Sequence, residues 1–367
     1  MQRKLSILGI RGIPANHGGF ETFAQRLALY LVKKNWQVTV YCQVEERDVP
    51  SKEWQGIRLI YISTKKNDSL NSILFDFKSA LHAAVNADGI ILTLGYNTAI
   101  FSVLYRLYNK FNIINMDGLE WQRQKWNALQ KAWLYLNERL GAKLGNSLIA
   151  DHPVIKKHLS KQVSASKITM IPYGADRVTH NDASLLERYG LVKDRYALVI
   201  ARAEPENSIL EIVSAFSARK RGYRLVILGN YRPKENVYHR KVMQASSEEV
   251  LFLGAIYERN IVQTLRIYCR LYVHGHQVGG TNPSLVEALA ANNPVLAHDN
   301  AFNCWVAGAR AHYFDDEADC LQKFDWLLDN SEELEKMKQG STERFEDAFA
   351  DDMDLKAYEE LFLLNLA

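Results

Sequence analysis

Few cysteines, no long apolar run and neither of the common phosphate-loop spacings set the first limits on this chain. Cys42, Cys269, Cys304 and Cys320 lie far apart without C-x-x-C spacing, which argues against a disulfide framework and a cysteine-based zinc site. No apolar stretch approaches the roughly 20 residues needed to span a bilayer, and no opening segment joins a basic start to an apolar middle and a small-residue cleavage site. The expectation is a cytoplasmic protein. An excess of one charge is also missing: a net charge of +3 over 367 residues gives no general pull toward nucleic acid. Gly9, Gly12, Gly18 and Gly19 match neither G-x-G-x-x-G nor G-x-x-x-x-G-K-[ST], so a nicotinamide oxidoreductase lacks its fingerprint. A helicase reading of the run from Asp315 to Asp319 lacks its P-loop for the same reason. The one Asp-x-Asp, Asp352 and Asp354, sits in an acidic tail and reads as a helix cap.

What the chain has is apolar content for two cores, 47% of its residues. Short apolar runs alternate with amphipathic segments: KLSILGI, VTVYC, IRLIYI, GIILTLG, FNIINMDG and SLIAD in the first half, then YALVIAR, RLVILGN, VLFLGAI, LYVHGH and PVLAHDN. Runs suited to burial on both faces predict parallel strands, and two series of them predict two doubly wound α/β domains. The boundary falls near 174–190, giving domains over 1–180 and 181–345. A segment at 346–367, whose apolar residues need a surface to pack on, is expected to cross back to the first domain. Phe20, Phe23, Ala24, Leu27 and Leu31 recur at helical spacing and form a core stripe.

Two strand ends carry candidate chemistry. In the first half, Gly18 and Gly19 stand beside His17 and just before Glu21. In the second, Gly279, Gly280 and Thr281 lead to Asn282, a fitting N-cap, and Pro283, a fitting first helical residue. Such a start is expected to present free amides and a partial positive charge to an anion. His274 and His276 lie at the preceding strand end, and without a third ligand nearby they read as hydrogen-bonding histidines rather than a metal pair.

The segments VHGHQVGGTNPSLVEALAANNPVLAHDN, IPYGAD and ARAEPENSILEIVSAF together resemble the donor half of a family 4 GT-B glycosyltransferase. IRGIPANHGGFETFAQRL and INMDGLEWQRQKW resemble, more narrowly, bacterial rhamnosyltransferases of capsule and cell-wall polysaccharide synthesis. The resemblance implies a GT-B fold, two Rossmann-like domains facing a central cleft, and retaining transfer without metal or cofactor, a donor phosphate oxygen taking the acceptor's proton. It assigns Arg202 to the leaving diphosphate and Glu287 to the ribose hydroxyls. His274, His276, Gly279, Gly280, Thr281 and Asn282 complete the donor contacts, with Gly18 and Gly19 facing the donor phosphate. His17, Glu21 and Asp117 become candidate acceptor contacts, with loop stabilisation an equal reading for His17 and Glu21, and His17 and Asp117 also stand as catalytic candidates.

Departures from the family are informative. Asn207 stands where many relatives have a lysine, leaving Lys234 or Arg232 to compensate, and Gly279 stands at the first place of the Glu-x7-Glu pattern that Glu287 completes. Family members commonly have a histidine at the position of Asp117, where it contacts a sugar 6-hydroxyl. Losing it costs a 6-deoxy sugar nothing, so the donor reading is dTDP-L-rhamnose, with UDP- or GDP-linked hexoses as alternative. A non-hydrolysing nucleotide-sugar epimerase and a non-catalytic sugar-binding module are the rival classes. Trp121, Trp126, Trp133 and Tyr135 interleave with Arg123, Lys125, Lys131, Arg139 and Lys143. That composition suits either an anionic inner-leaflet surface presenting a lipid-linked saccharide, or a helix that packs its tryptophans inward.

Overall fold

Apolar runs such as Leu5–Leu8 and Tyr196–Val199 are buried along their length, which is why they read as continuous rather than alternating and why they pair in parallel. In the computed structural model, which describes residues 3–15, 18–45, 51–64, 69–178, 181–350 and 352–366, they build two units. The first comprises Met1–Gln122, Trp126–Pro172 and Asp354–Ala367, and the second Arg123–Lys125 and Tyr173–Met353.

The first unit holds strands β1 (Lys4–Leu8), β2 (Gln37–Glu45), β3 (Glu53–Trp54), β4 (Ile57–Thr64), β5 (Ile90–Leu94), β6 (Phe111–Asn115), β7 (Ser147–Ala150) and β8 (Ile168–Met170). They form one sheet in the order β3-β4-β2-β1-β5-β6-β7-β8, parallel except for the short edge strand β3. Ile7 pairs with Val40 on one side and Leu92 on the other, so the chain reverses direction of winding at β1. Helices α1 (Gly19–Lys33), α2 (Ser69–Asn86), α3 (Ser102–Leu107), α4 (Ala128–Leu144) and α5 (Pro153–Leu159) connect them. Phe23, Ala24, Leu27 and Leu31 of α1 are buried as the periodicity requires, while Phe20 is half-buried at the helix mouth.

The second unit has β9 (Tyr196–Ile200), β10 (Arg224–Leu228), β11 (Val250–Gly254), β12 (Leu271–His274), β13 (Val295–His298) and β14 (His312–Phe314). The sheet order is β11-β10-β9-β12-β13-β14, parallel throughout. Helices α6 (Ile209–Ser217), α7 (Val237–Ala245), α8 (Arg259–Ile267), α9 (Pro283–Ala290), α10 (Ala301–Ala307), α11 (Glu317–Leu327) and α12 (Ser331–Ala348) complete it. This unit begins at Tyr173 rather than 181 and runs past 345 because Ala175, Phe345, Phe349 and Ala350 share its core.

A last helix, α13 (Met353–Leu364), packs in the first unit. Tyr358 and Phe362 are buried there, the Tyr358 ring tilted against that of Phe23 at 4.9 Å and Phe362 meeting Trp36 edge-on at 5.7 Å. Asp352 and Asp354 stand at the start of this helix, where a cap is expected, and Asp354, in the first turn, is buried and pairs with Arg26 at 3.3 Å.

Candidate functional sites in the two units

In the first unit, β1 gives way to Gly9, where a Cβ would come within 2.2 Å of the Leu94 carbonyl oxygen, so no side chain fits at φ +85. The loop that follows is tied down from α1. Glu21 Oε1 accepts from the Arg11 amide at 3.2 Å, Gln25 Oε1 accepts from the Ala15 amide at 2.7 Å, and the Thr22 hydroxyl donates to the Gly18 carbonyl. Gly18 takes φ +42 at the helix mouth, beside the Glu21 carboxylate. Glu21 therefore carries the loop-stabilising role in this structure. His17 lies outside the described residues.

Asp117 lies two residues past β6 in a left-handed conformation, φ +49, half-buried, its amide donating to the Asn115 side chain at 2.9 Å. The same Asn115 donates to the Tyr358 hydroxyl at 2.7 Å, so the returning helix helps to fix this strand end. Asp76 on α2 was not singled out by its sequence surroundings. It accepts from the Thr98 hydroxyl at 2.8 Å, and burial lifts its carboxyl to about 6.

The aromatic and basic segment resolves into two parts. Helix α4 starts at a capping box formed by Asn127 and Gln130. Trp121, Trp126 and Trp133 are half-buried, and their indole N–H groups donate to Glu138, Glu120 and the Asn97 carbonyl. Glu138, itself buried, also accepts from His158 and Gln162 at 2.8 Å each. Tyr135, Leu136 and Leu129 face outward instead, and Arg139 lies over the Tyr135 ring at 4.6 Å.

In the second unit, Asn282 caps α9 through its side-chain oxygen on the Ser284 amide at 3.0 Å, with Pro283 at the first position. The expected row of free amides is not formed. Pro283 has no N–H, Ser284 is capped, and the Leu285 and Val286 amides both return to the Asn282 carbonyl. What the helix mouth offers an anion is its dipole and the Gly279–Thr281 approach, where a Cβ on Gly279 would meet nothing within 4 Å. Glu287, one turn in, is held by Arg266 at 2.5 Å, and Arg266 also donates to Ser284 at 3.1 Å. The Arg266 side chain is buried while that of Glu287 is 43% exposed, so the guanidinium aims a carboxylate that a ligand can still reach.

Arg202 is exposed on the loop after β9. Its carbonyl accepts from the Asn207 side chain at 2.8 Å, so Asn207 shapes the arginine's loop rather than supplying a second charge. Of the proposed substitutes, Arg232 pairs with Glu235 at 3.6 Å and both are exposed. The backbone near them matters more: His239 accepts from the Arg232 amide and contacts the Ala203 carbonyl, each at 2.8 Å, pinning that loop to the one carrying Arg202. His274 is buried and stacks on His276, ring centroids 4.2 Å apart. Burial lowers His274 to about 3, and burial together with His274, Arg123 and Arg202 lowers His276 well below the ordinary histidine value. Both rings are neutral at pH 7. Among the described residues, no three His, Cys, Asp or Glu side chains come together as a metal site.

These elements, a Gly-rich turn into α9, an aimed glutamate and an arginine after β9, lie in a segment with a known likeness. Residues 186–344 match the model of Glycosyl transferases group 1, and residues 2–176 match a domain of unknown function, DUF1972. The fold is GT-B. Sucrose-phosphate synthase from Thermosynechococcus elongatus superimposes with a TM-score of 0.80 at 15% identity, covering 100% of this chain and 99% of that one. Anabaena HepE, solved in complex with UDP and glucose, gives 0.76 at 13% identity, covering 98% of this chain and 99% of that one. The α,α-trehalose 6-phosphate synthase of Burkholderia multivorans gives 0.72 at 11% identity, covering 100% and 96%. No curated protein matches by sequence. Within this GT-B chain, Arg266, His239 and Glu206 escaped sequence reasoning. Arg266 meets Glu287 from a different helix, and the turn Pro205–Asn207 has the composition of an ordinary loop.

Proposed function

We propose that the protein is a retaining glycosyltransferase that transfers a sugar from a nucleotide donor to a lipid-linked saccharide. The observation that carries the transferase reading is the Arg266-aimed Glu287 at the mouth of α9, within the segment that matches Glycosyl transferases group 1. A carboxylate held by a buried guanidinium is a fixed acceptor for the vicinal hydroxyls of a ribose. The α9 dipole and Arg202 supply positive potential for a diphosphate, and stabilising charge that develops on the leaving group is the largest lever available to such a site. With His274 and His276 neutral, neither adds charge to it. No side chain is assigned as general base, and the donor's own phosphate oxygen takes the acceptor proton.

The donor we propose is dTDP-L-rhamnose. A second reading, a UDP-linked hexose, is favoured by the likeness to HepE, solved in complex with UDP-glucose. The acceptor reading draws support from the first unit. Leu70, Leu74, Phe77, Leu81 and Val85 recur along α2 at spacings of three and four, and all are exposed. Val103 and Leu107 on α3 are exposed as well. An apolar helix face of this kind suits peripheral attachment to the inner face of the plasma membrane.

The test is a panel of nucleotide sugars with a polyprenyl-diphosphate saccharide in liposomes, read by release of the nucleoside diphosphate and by labelled lipid product. Preferred transfer from dTDP-L-rhamnose is expected. Preferred transfer of a hexose would select the second reading. Conversion of the nucleotide sugar without acceptor would mark an epimerase, and no turnover with any donor a binding module.

A further inference from the structure

Glu206 is 1% exposed, and neither of its carboxylate oxygens has a hydrogen-bond partner in the protein. The nearest ion-pair partner, Arg123, stands 4.0 Å from Oε1, too far for a hydrogen bond. A buried carboxylate in this condition is costly, and natural proteins keep such groups where something else bonds to them. Glu206 is not alone. Asn207 and His274 are each 1% exposed, and the Asn207 Oδ1 and both ring nitrogens of His274 also lack a protein partner, as does Nδ1 of His276.

The backbone gathers these groups. The Gln277 amide donates to the Glu206 carbonyl at 2.9 Å, and the Gln277 side chain donates to the Ser208 hydroxyl at 2.9 Å. At Gly275 a Cβ would come within 2.2 Å of the Asn207 carbonyl oxygen, so only glycine lets the two loops approach this closely. The turn 205–208 is thereby stitched to 275–277, two residues before Gly279.

Resting on the glycosyltransferase reading, we infer that Glu206, with Asn207 and His274, is the subsite for the transferred sugar ring, its carboxylate accepting from ring hydroxyls. The chemistry of the unpaired set selects this ligand. A carboxylate and an amide oxygen accept only, while each neutral imidazole offers one donor and one acceptor. A phosphate would bring acceptors and a negative charge against Glu206. A ring of hydroxyls brings donor and acceptor together at each position.

Calorimetry on wild type, Glu206→Gln and Glu206→Asp tests this, with UDP-glucose and dTDP-L-rhamnose compared against UDP and dTDP. Glu206→Gln should weaken binding of the sugar nucleotide that wild type prefers by about tenfold or more, with the matching nucleoside diphosphate held within about twofold. If the glutamine variant fails to fold, the aspartate variant, one methylene shorter, should show the same split. Equal loss of both affinities, or no loss, overturns the subsite. Turnover of wild type is measured separately: a wild type that binds but never releases nucleotide sinks the transferase reading and leaves the affinity ratio to decide the subsite. A wild type that binds neither class overturns both.

Discussion

The loops that follow β1 and β9 start from the same place, the carboxyl end of a central parallel strand, and end in opposite conditions. After β1 the polar side chains of α1 turn back on their own loop: Glu21 and Gln25 accept from the Arg11 and Ala15 amides. After β9 the side chains leave the account open. Asn207 spends its nitrogen on Arg202 but not its oxygen, and Glu206 is buried with both oxygens unbonded. A loop that satisfies itself is shaped for what its backbone does, whereas a loop that buries acceptors without donors is shaped for what arrives. The loop leading to Gly18 and Gly19 is of the first kind, and the 202–208 loop is of the second.

The strongest challenge to this contrast is Arg202→Ala. If the open loop carries the leaving-group chemistry, kcat/KM should fall by roughly 10²-fold or more, measured as nucleoside diphosphate release under single-turnover conditions. Near-normal turnover would move the charge to another residue. Glu287→Gln comes next. Replacing the carboxylate that Arg266 aims should raise donor KM by about tenfold while the fold persists, and unchanged nucleotide affinity by calorimetry would remove Glu287 from the ribose site.

A third measurement uses pH. His274 titrates at about 3 in the folded chain against roughly 6.5 when unfolded. The unfolded state therefore binds more protons across that window, and folding stability should decline as pH falls from about 6.5 toward 3. Denaturant midpoints for His274→Gln should decline less steeply than wild type over this range. Parallel curves would mean the ring takes up its proton in the folded state. The smallest effect is expected at Glu21→Ala, which removes one acceptor from a partly exposed loop and should cost about 1 kcal/mol by urea unfolding, with donor affinity unchanged. A large rise in acceptor KM at full stability would erase the distinction between the two loops.

Much of the architecture was legible because burial on both faces writes long apolar runs, and the eleven runs read from the sequence all coincide with strands. The strands it did not reveal, β3, β8 and β14, have two or three residues each and lie at the sheet edges, too short to make a pattern. The start of α9 was legible from Asn282 and Pro283, since capping is local chemistry. Its amides were misjudged because the same cap that marks the start also consumes them. Glu206 was invisible for a different reason: it sits in a turn of polar composition, and the close approach of Gly275 to Asn207 that accompanies its burial joins segments far apart in the sequence.

The helix α13 has one further consequence, for the order in which the protein is made. It is synthesised after the whole of the second unit, yet Tyr358, Phe362 and Asp354 fill the first. Residues 1–172 therefore leave the ribosome with a gap beside Phe23 and Trp36 and before the Asp354 carboxylate that pairs with Arg26 has been made. The second unit can close its core while that gap is still open. The half that is translated first is the half completed last, and a fragment cut at the domain boundary would hold it in its unfinished form.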